Sequence, residues 1–191
     1  MSLAHAILGL LNYQPMSGYD LKHLAFDRTI AHFWPADQAQ IYRTLDKMAG
    51  EGWIAGELEV QSDRPNRRVF TITEAGRAEL DRWLHTPQAI PAHREAFLVQ
   101  MFFAAQLPDA VILEHIDQQI AARQARLDQF GQIIAPSPDE GPLRREQVFW
   151  RLTLEFGLAH ERMCIEWLEL SKQTIRSAAQ PPDTKDAPHE G

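Results

Sequence analysis

Three arginines, Arg64, Arg67 and Arg68, stand within five residues of one another, opposed by Asp63 alone in the stretch Ser62–Phe70. Guanidinium forks match phosphate oxygens and can also probe a minor groove, so this run is a candidate contact for a polyanion. A second set is spaced for one helix face: Ala39, Gln40, Arg43 and Lys47, with Tyr42 on the flank. A small Ala39 lets a backbone approach a surface. Gln40 has the paired donor and acceptor that adenine presents, and Arg43 has the fork that guanine accepts. Tyr19, Lys22 and His23, sixteen to twenty-eight residues upstream of that set, add groups suited to phosphate. Farther along, His160-Glu161-Arg162-Met163-Cys164 is one letter from HExxH. An imidazole and a thiolate four apart share a helix face, but a metal needs further ligands that the sequence does not place. The pair flanks Ala159 and Met163, so a helix-interface histidine and an inert thiol are the expectation. The aromatics Phe97, Trp150, Phe156 and Trp167 suit either core packing or the lining of a small-molecule effector pocket. No glycine-rich phosphate loop, nucleophile elbow, zinc-finger spacing or paired-carboxylate arrangement is present. The expectation is no enzyme, no metal and no cofactor.

The elements that position these groups follow from periodicity. Leu3, Ile7, Leu8 and Leu11 form one helical face. Ser17, with Asp20 three residues on, opens a second helix through Phe26 as a capping-box pattern. After Trp34–Pro35 a third helix turns Ile41, Leu45 and Met48 inward and Ala36, Ala39, Arg43, Asp46 and Lys47 outward. Past Gly50–Gly52 the period changes to two. Leu58 and Val60 share one strand face, Phe70 and Ile72 another, and Asp63–Asn66 turns between them. Thr73 starts a fourth helix through Leu80, Trp83 and Leu84. Helix, helix, helix, hairpin, helix is the order of a winged helix-turn-helix. The proline-bearing Thr86–Ala92 separates this half from a second one. There, Ile112, Ile116, Ile120, Leu127, Phe130 and Ile134 make one long stripe that only Arg123 breaks. Phe149, Leu152, Phe156, Ala159, Met163, Trp167 and Leu170 make another. Each helix should span roughly 40–50 Å, with the phenylalanine-rich segment 93–105 packed beneath. Such long apolar stripes call for a partner surface, and a second copy of the chain supplies one. The expected divisions are a DNA-binding domain over residues 1–86, a helical dimerisation and effector domain over 92–176, and a disordered tail over 177–191. The fold class is mainly α with a small β wing.

The 191 residues carry a formal charge of −7, with nine Lys/Arg and eleven Asp/Glu over residues 1–85 against ten and fifteen beyond. Acidity thus concentrates in the second half and leaves the wing as a basic island. One cysteine, Cys164, forbids an internal disulfide and suits a reducing cytoplasm. No apolar run approaches the ~20 residues of a membrane span, and the start lacks signal-peptide features.

The segments ILGLLNYQPMSGYDL, FWPADQAQIYRTLDKMAGEGWI, RPNRRVFTIT and TEAGRAELDRWL resemble the PadR family of bacterial transcriptional regulators across residues 3–84. The resemblance is carried by Gly18–Tyr19, Ile41–Tyr42–Arg43–Thr44–Leu45, Gly52 and Thr73–Glu74–Ala75–Gly76–Arg77, while Phe70 stands where the family often has tyrosine. The second half is similar to the helical C-terminal domain of the larger PadR subgroup. The resemblance implies a homodimeric, cytoplasmic regulator of double-stranded DNA, commonly a repressor, often answering to a small aromatic effector. Two other readings stay open on the residues: a protein–protein adaptor using the winged domain, and a metal or redox sensor using His160 and Cys164.

Overall fold

The computed structural model describes residues 2–30, 33–60, 66–92, 94–133 and 141–178. The chain divides into two compact units, with the division between Pro91 and Ala92.

In the first unit, α1 (Ser2–Tyr13) buries Ile7, Leu8 and Leu11. A two-residue strand, β1 (Met16–Ser17), leads into α2 (Gly18–Asp20), which runs on as a π-helical segment, Leu21–Phe26. Ser17 and Asp20 form the capping box that their spacing predicts: the Asp20 N–H donates to Ser17 Oγ and the Ser17 N–H to Asp20 Oδ2, both at 3.1 Å. The wider π turn closes where the Asp27 N–H reaches the Lys22 carbonyl at 2.9 Å.

Helix α3 (Gln38–Gly50) follows, with Asp37 as its cap and Ile41, Leu45 and Met48 buried. Ala36 is therefore not on the outward face of this helix. It precedes the cap and is buried, because the polar Asp37, not Trp34–Pro35, marks where helical geometry begins. Strands β2 (Ile54–Glu59) and β3 (Arg67–Ile72) pair antiparallel with Ile54 opposite Ile72 and Glu59 opposite Arg67. β1 adds to the far edge of β3, Met16 against Phe70 and Ser17 against Val69, giving the order β1-β3-β2. Leu58 and Val60 are exposed, and neither belongs to the core of this unit. Helix α4 (Glu74–Leu84) is capped by Thr73, whose hydroxyl accepts from the Gly76 N–H at 3.1 Å and donates to the Gly52 carbonyl at 2.7 Å. A Cβ on Gly76 would stand 2.1 Å from the Trp53 carbonyl oxygen, so the cap brings two backbones closer than any side chain allows. One core joins these elements, with Phe26, Ile7, Leu8, Leu21, Ile41, Leu45 and Met48 fully buried.

The second unit holds α5 (Ala96–Phe102), α6 (Asp109–Gly131) and α7 (Arg145–Ala178). At 1.5 Å per residue α6 is about 35 Å long and α7 about 51 Å, so α6 is shorter than the stripe implied; Ile134 lies outside the described residues. Phe97, Ala104, Ile112, Ile116 and Leu168 form the core, with Met101, Ile120 and Ile175 at its edge. Phe102 and Phe103 face out rather than beneath the long helices. The stripe Phe149–Leu170 is likewise exposed: Phe156 is 70% and Met163 58% accessible. Against α6, α7 instead turns a different face, centred on Glu161 and Leu168.

Arg123, the break in the α6 stripe, has its partner there. Its Nη1 lies 3.1 Å from Glu161 Oε2, Arg126 Nε lies 3.3 Å from Oε1, and Glu95 approaches the same Arg123 guanidinium at 4.0 Å. Residues 177 and 178 belong to α7, and the remainder of the expected tail lies outside the described residues. No helix among the described residues is long and apolar enough to cross a membrane.

Candidate nucleic-acid interface

The exposed face of α3 carries Ala39, Gln40, Arg43 and Lys47 side by side. Arg43 is solvent-exposed and makes no hydrogen bond or ion pair among the described residues, so its full fork is available. Lys47 lies 3.6 Å from Glu51, one turn on. Gln40 has a task of its own. It is the third residue of the helix, and its Oε1 accepts from the Asp37 N–H at 3.0 Å while its N–H donates to Asp37 Oδ1 at 2.7 Å. That reciprocal box ties up the acceptor an adenine contact would use. The spacing Asp37-x-x-Gln40 is the capping-box signal that would have found this role, which a helical wheel cannot see.

Tyr42, on the flank, lies across the start of α2. A Cβ on Gly18 would meet its ring at 2.7 Å, so the close approach of Gly18 and Tyr42 sets how near the two helices of the turn can come. Lys22 reaches in the same direction: its Nζ donates to the Ala36 carbonyl at 3.1 Å and to Asp27 Oδ1 at 2.5 Å. It thereby ties the π segment to the residue just before the α3 cap. The ammonium of Lys22, and then His23 at 3.2 Å, hold the Asp27 carboxyl below its ordinary range. Tyr19 packs its ring on His23 with centroids 4.3 Å apart and remains exposed. Beside α3, Leu3, Phe33, Trp34 and Pro35 form the wall of an open groove of about 680 Å³ whose other wall is Gln40, Arg43, Thr44 and Lys47. Phe33 and Trp34 were not singled out by charge or spacing, since their exposure depends on where the chain turns into α3.

On the hairpin, Arg68 lies over the Phe70 ring at 5.2 Å and forms no ion pair among the described residues. Arg67 is held by carboxylates: Nε donates to Glu59 Oε2 at 2.8 Å and Nη1 lies 3.4 Å from Asp20 Oδ2. Arg64, with the rest of the tip over residues 61–65, lies outside the described residues.

The four aromatics considered for an effector pocket do not converge within the chain. Phe97 and Trp167 meet edge to face with centroids 6.4 Å apart. Trp150 is seventeen residues from Trp167 on α7, about 25 Å at helical rise, and Phe156 stacks near His160 at 6.2 Å. His160 Nε2 and Cys164 Sγ are 3.9 Å apart. Burial pushes the thiol above its ordinary value, against the pull of Arg123, which makes it a poor ligand or nucleophile. Among the described residues no three His, Cys, Asp or Glu side chains are grouped to hold a metal.

Two family models cover most of the chain: the transcriptional regulator PadR-like family over residues 7–82, and the virulence activator alpha C-terminal region over residues 93–176. The negative transcriptional regulator PadR of Bacillus subtilis is 30% identical over 179 residues, covering 87% of this chain and 93% of that protein. A probable transcriptional regulator of Mycobacterium tuberculosis, Rv1176c, is 46% identical over 87 residues, 46% of each chain. Bacillus subtilis PadR solved with operator DNA superposes with a TM-score of 0.77 at 29% identity, covering 92% of this chain and 99% of that one. The same protein solved with p-coumaric acid gives 0.74 at 28%, over 92% and 99%. The Vibrio cholerae virulence activator AphA gives 0.76 at 27%, over 93% and 99%. A winged helix-turn-helix joined to a helical second unit, and matched over 87% of its length by such a relative, belongs to the PadR-like family: the chain is a DNA-binding transcriptional regulator and not an enzyme.

Proposed function

We propose that the chain is a homodimeric, cytoplasmic repressor that binds an inverted-repeat operator and is released by a small aromatic effector. The observation that carries the DNA-binding part is the exposed α3 face, where Arg43 stands free beside Ala39. A major groove about 12 Å wide accepts one such helix, N-terminal half toward the bases. In this reading Ala39 allows close approach and Arg43 reads a base edge. Gln40 offers only its amide N–H groups, and Tyr19, Tyr42, Lys47 and Arg68 line the phosphates. Arg64 belongs with the wing tip, beside the backbone or in the minor groove. Residues 1–86 act as the DNA-binding domain and 92–176 as the dimerisation and effector domain.

The dimer is supported by the exposed apolar stripe of α7, on which Phe156, Met163 and Leu170 stay more than half accessible to solvent. Two-fold pairing on straight DNA requires recognition helices spaced by one helical turn, about 34–36 Å, or a multiple of it. Repression is supported by the negative regulator from Bacillus subtilis, and effector control by that protein's complex with p-coumaric acid. Effector bound preferentially to a DNA-incompetent dimer would shift the population away from the operator.

The test is selection of bound fragments from a random duplex pool by the full chain. A two-fold symmetric consensus with half-sites one turn apart is the expected result. Recovery of no consensus, with no retention of duplex at low salt, overturns the reading. Equal affinity of p-coumarate for free and operator-bound protein removes the effector mechanism alone.

A further inference from the structure

Arg67 opens β3 where a wing arginine is conventionally assigned to phosphate, yet two edges of its guanidinium are already taken. Glu59, its directly opposed residue in the β2–β3 register, receives Nε at 2.8 Å. Asp20 Oδ2, 3.4 Å from Nη1, is itself fixed in place by the Ser17 N–H at 3.1 Å and the Ser17 hydroxyl at 2.8 Å. The backbone ladder between β1 and β3 runs only from Met16–Phe70 to Ser17–Val69, two residues short of Arg67. The side-chain bridge to Asp20 therefore continues, beyond the last strand pairing, the attachment of the hairpin to the start of α2. Charge points the same way. One guanidinium between two carboxylates leaves a net negative group, and Glu57 lies on the same strand face two residues from Glu59. A phosphate meets repulsion there, whereas Arg68, one residue on and opposite Leu58 rather than a carboxylate, forms no ion pair among the described residues.

We infer that Arg67 is a positioning residue, clamping the wing to the N-terminus of α2 through Glu59 and Asp20, and that the phosphate contact on this strand falls to Arg68. The inference rests on the DNA-binding reading above. It makes a prediction of unusual sign, because removing a carboxylate from a DNA-facing surface ordinarily tightens binding, whereas here it frees the wing and weakens it.

The experiment measures affinity of the full chain for a fluorescein-labelled duplex carrying the selected consensus, by anisotropy across a salt series. Glu59→Gln and Arg67→Gln should each weaken binding roughly threefold or more, each change being present twice in a dimer. Both should leave the slope of log affinity against log salt within a few tenths of wild type. The double variant should be no weaker than Arg67→Gln alone. Arg68→Gln should reduce the slope by about 0.9 for each phosphate that Arg68 neutralises. Tighter binding by Glu59→Gln, a fall in slope of about 0.9 in Arg67→Gln, or unchanged affinity in both variants overturns the inference while duplex binding itself stands. Absence of duplex binding by the wild-type chain at low salt overturns the DNA-binding reading and this inference with it. Glu59→Gln, which removes only charge from an exposed side chain, keeps the test decisive even where Arg67→Gln fails to fold.

Discussion

Arg43 and Glu79 show what single side chains contribute here. Arg43 is exposed and unengaged among the described residues, so on the proposed reading Arg43→Ala leaves the fold intact and removes base reading at its position. Discrimination between the consensus and a single-base variant at that position should fall by about 1–3 kcal/mol, measured by competition binding, with the melting temperature unchanged. Glu79 works inside the fold: its carboxylate accepts from Arg82 at 2.6 and 2.8 Å and from His5 Nε2 at 3.0 Å, while His5 stacks on Trp83 at 4.7 Å. Arg82 first, then His5, hold its pKa down to about 2 from the ordinary 4.5. A carboxyl with a depressed folded value stabilises the protein above the ordinary value and ceases to do so as pH falls toward the folded one. The urea midpoint should thus decline from pH 4.5 toward 2 in the wild type, and Glu79→Gln should flatten that part of the curve. At this scale the sequence was informative about charge and poor about engagement. Arg43, Lys47, Arg67 and Lys22 look alike in a helical wheel or a basic run. Only the fold reveals that Lys22 serves the Ala36 carbonyl and Arg67 two carboxylates, since those partners lie fourteen and up to forty-seven residues away.

Elements were legible wherever a period or a cap repeated itself. Ile41, Leu45 and Met48 gave α3, Ser17 with Asp20 gave the start of α2, and Thr73 gave α4. β1 was illegible, since two residues cannot display an alternation, and it exists because β3 offers it an edge. The long helices were legible in kind, while the seam between them was not. The apolar stripe of α7 called for a surface outside its own helix pair and is exposed, whereas the α6–α7 seam is built around Glu161, 2% exposed, and Arg123, 14% exposed, which a hydrophobic pattern discounts. A buried carboxylate held by two guanidinium groups is costly to strip of its inner partner. Arg123→Ala should lower unfolding free energy by about 3 kcal/mol, and Arg126→Ala, on the exposed side, by about 1 kcal/mol or less. Urea denaturation followed by tryptophan fluorescence compares them. Arg123→Met combined with Glu161→Leu should recover most of that stability.

For the molecule as a whole, the two compact units part along the same line at which composition changes, near the prolines at 87 and 91. The apolar α7 stripe is the surface on which the proposed pairing depends. Phe156→Asp with Leu170→Asp should therefore yield a monomer by sedimentation velocity, with helical content retained. Operator affinity should drop by at least the roughly hundredfold that linking two half-site contacts can supply. That stripe also bears on how the protein lives in a cell. Side chains as bare as Phe156 and Met163 make a lone protomer sticky, so under the proposed pairing each newly made copy has to find its twin before it meets anything else. Abundance then becomes a control variable. On the proposed reading of a dimeric repressor, the operator empties with no inducer present once the concentration falls below that at which twins assemble, and the gene under it is read during the interval in which the regulator is scarce.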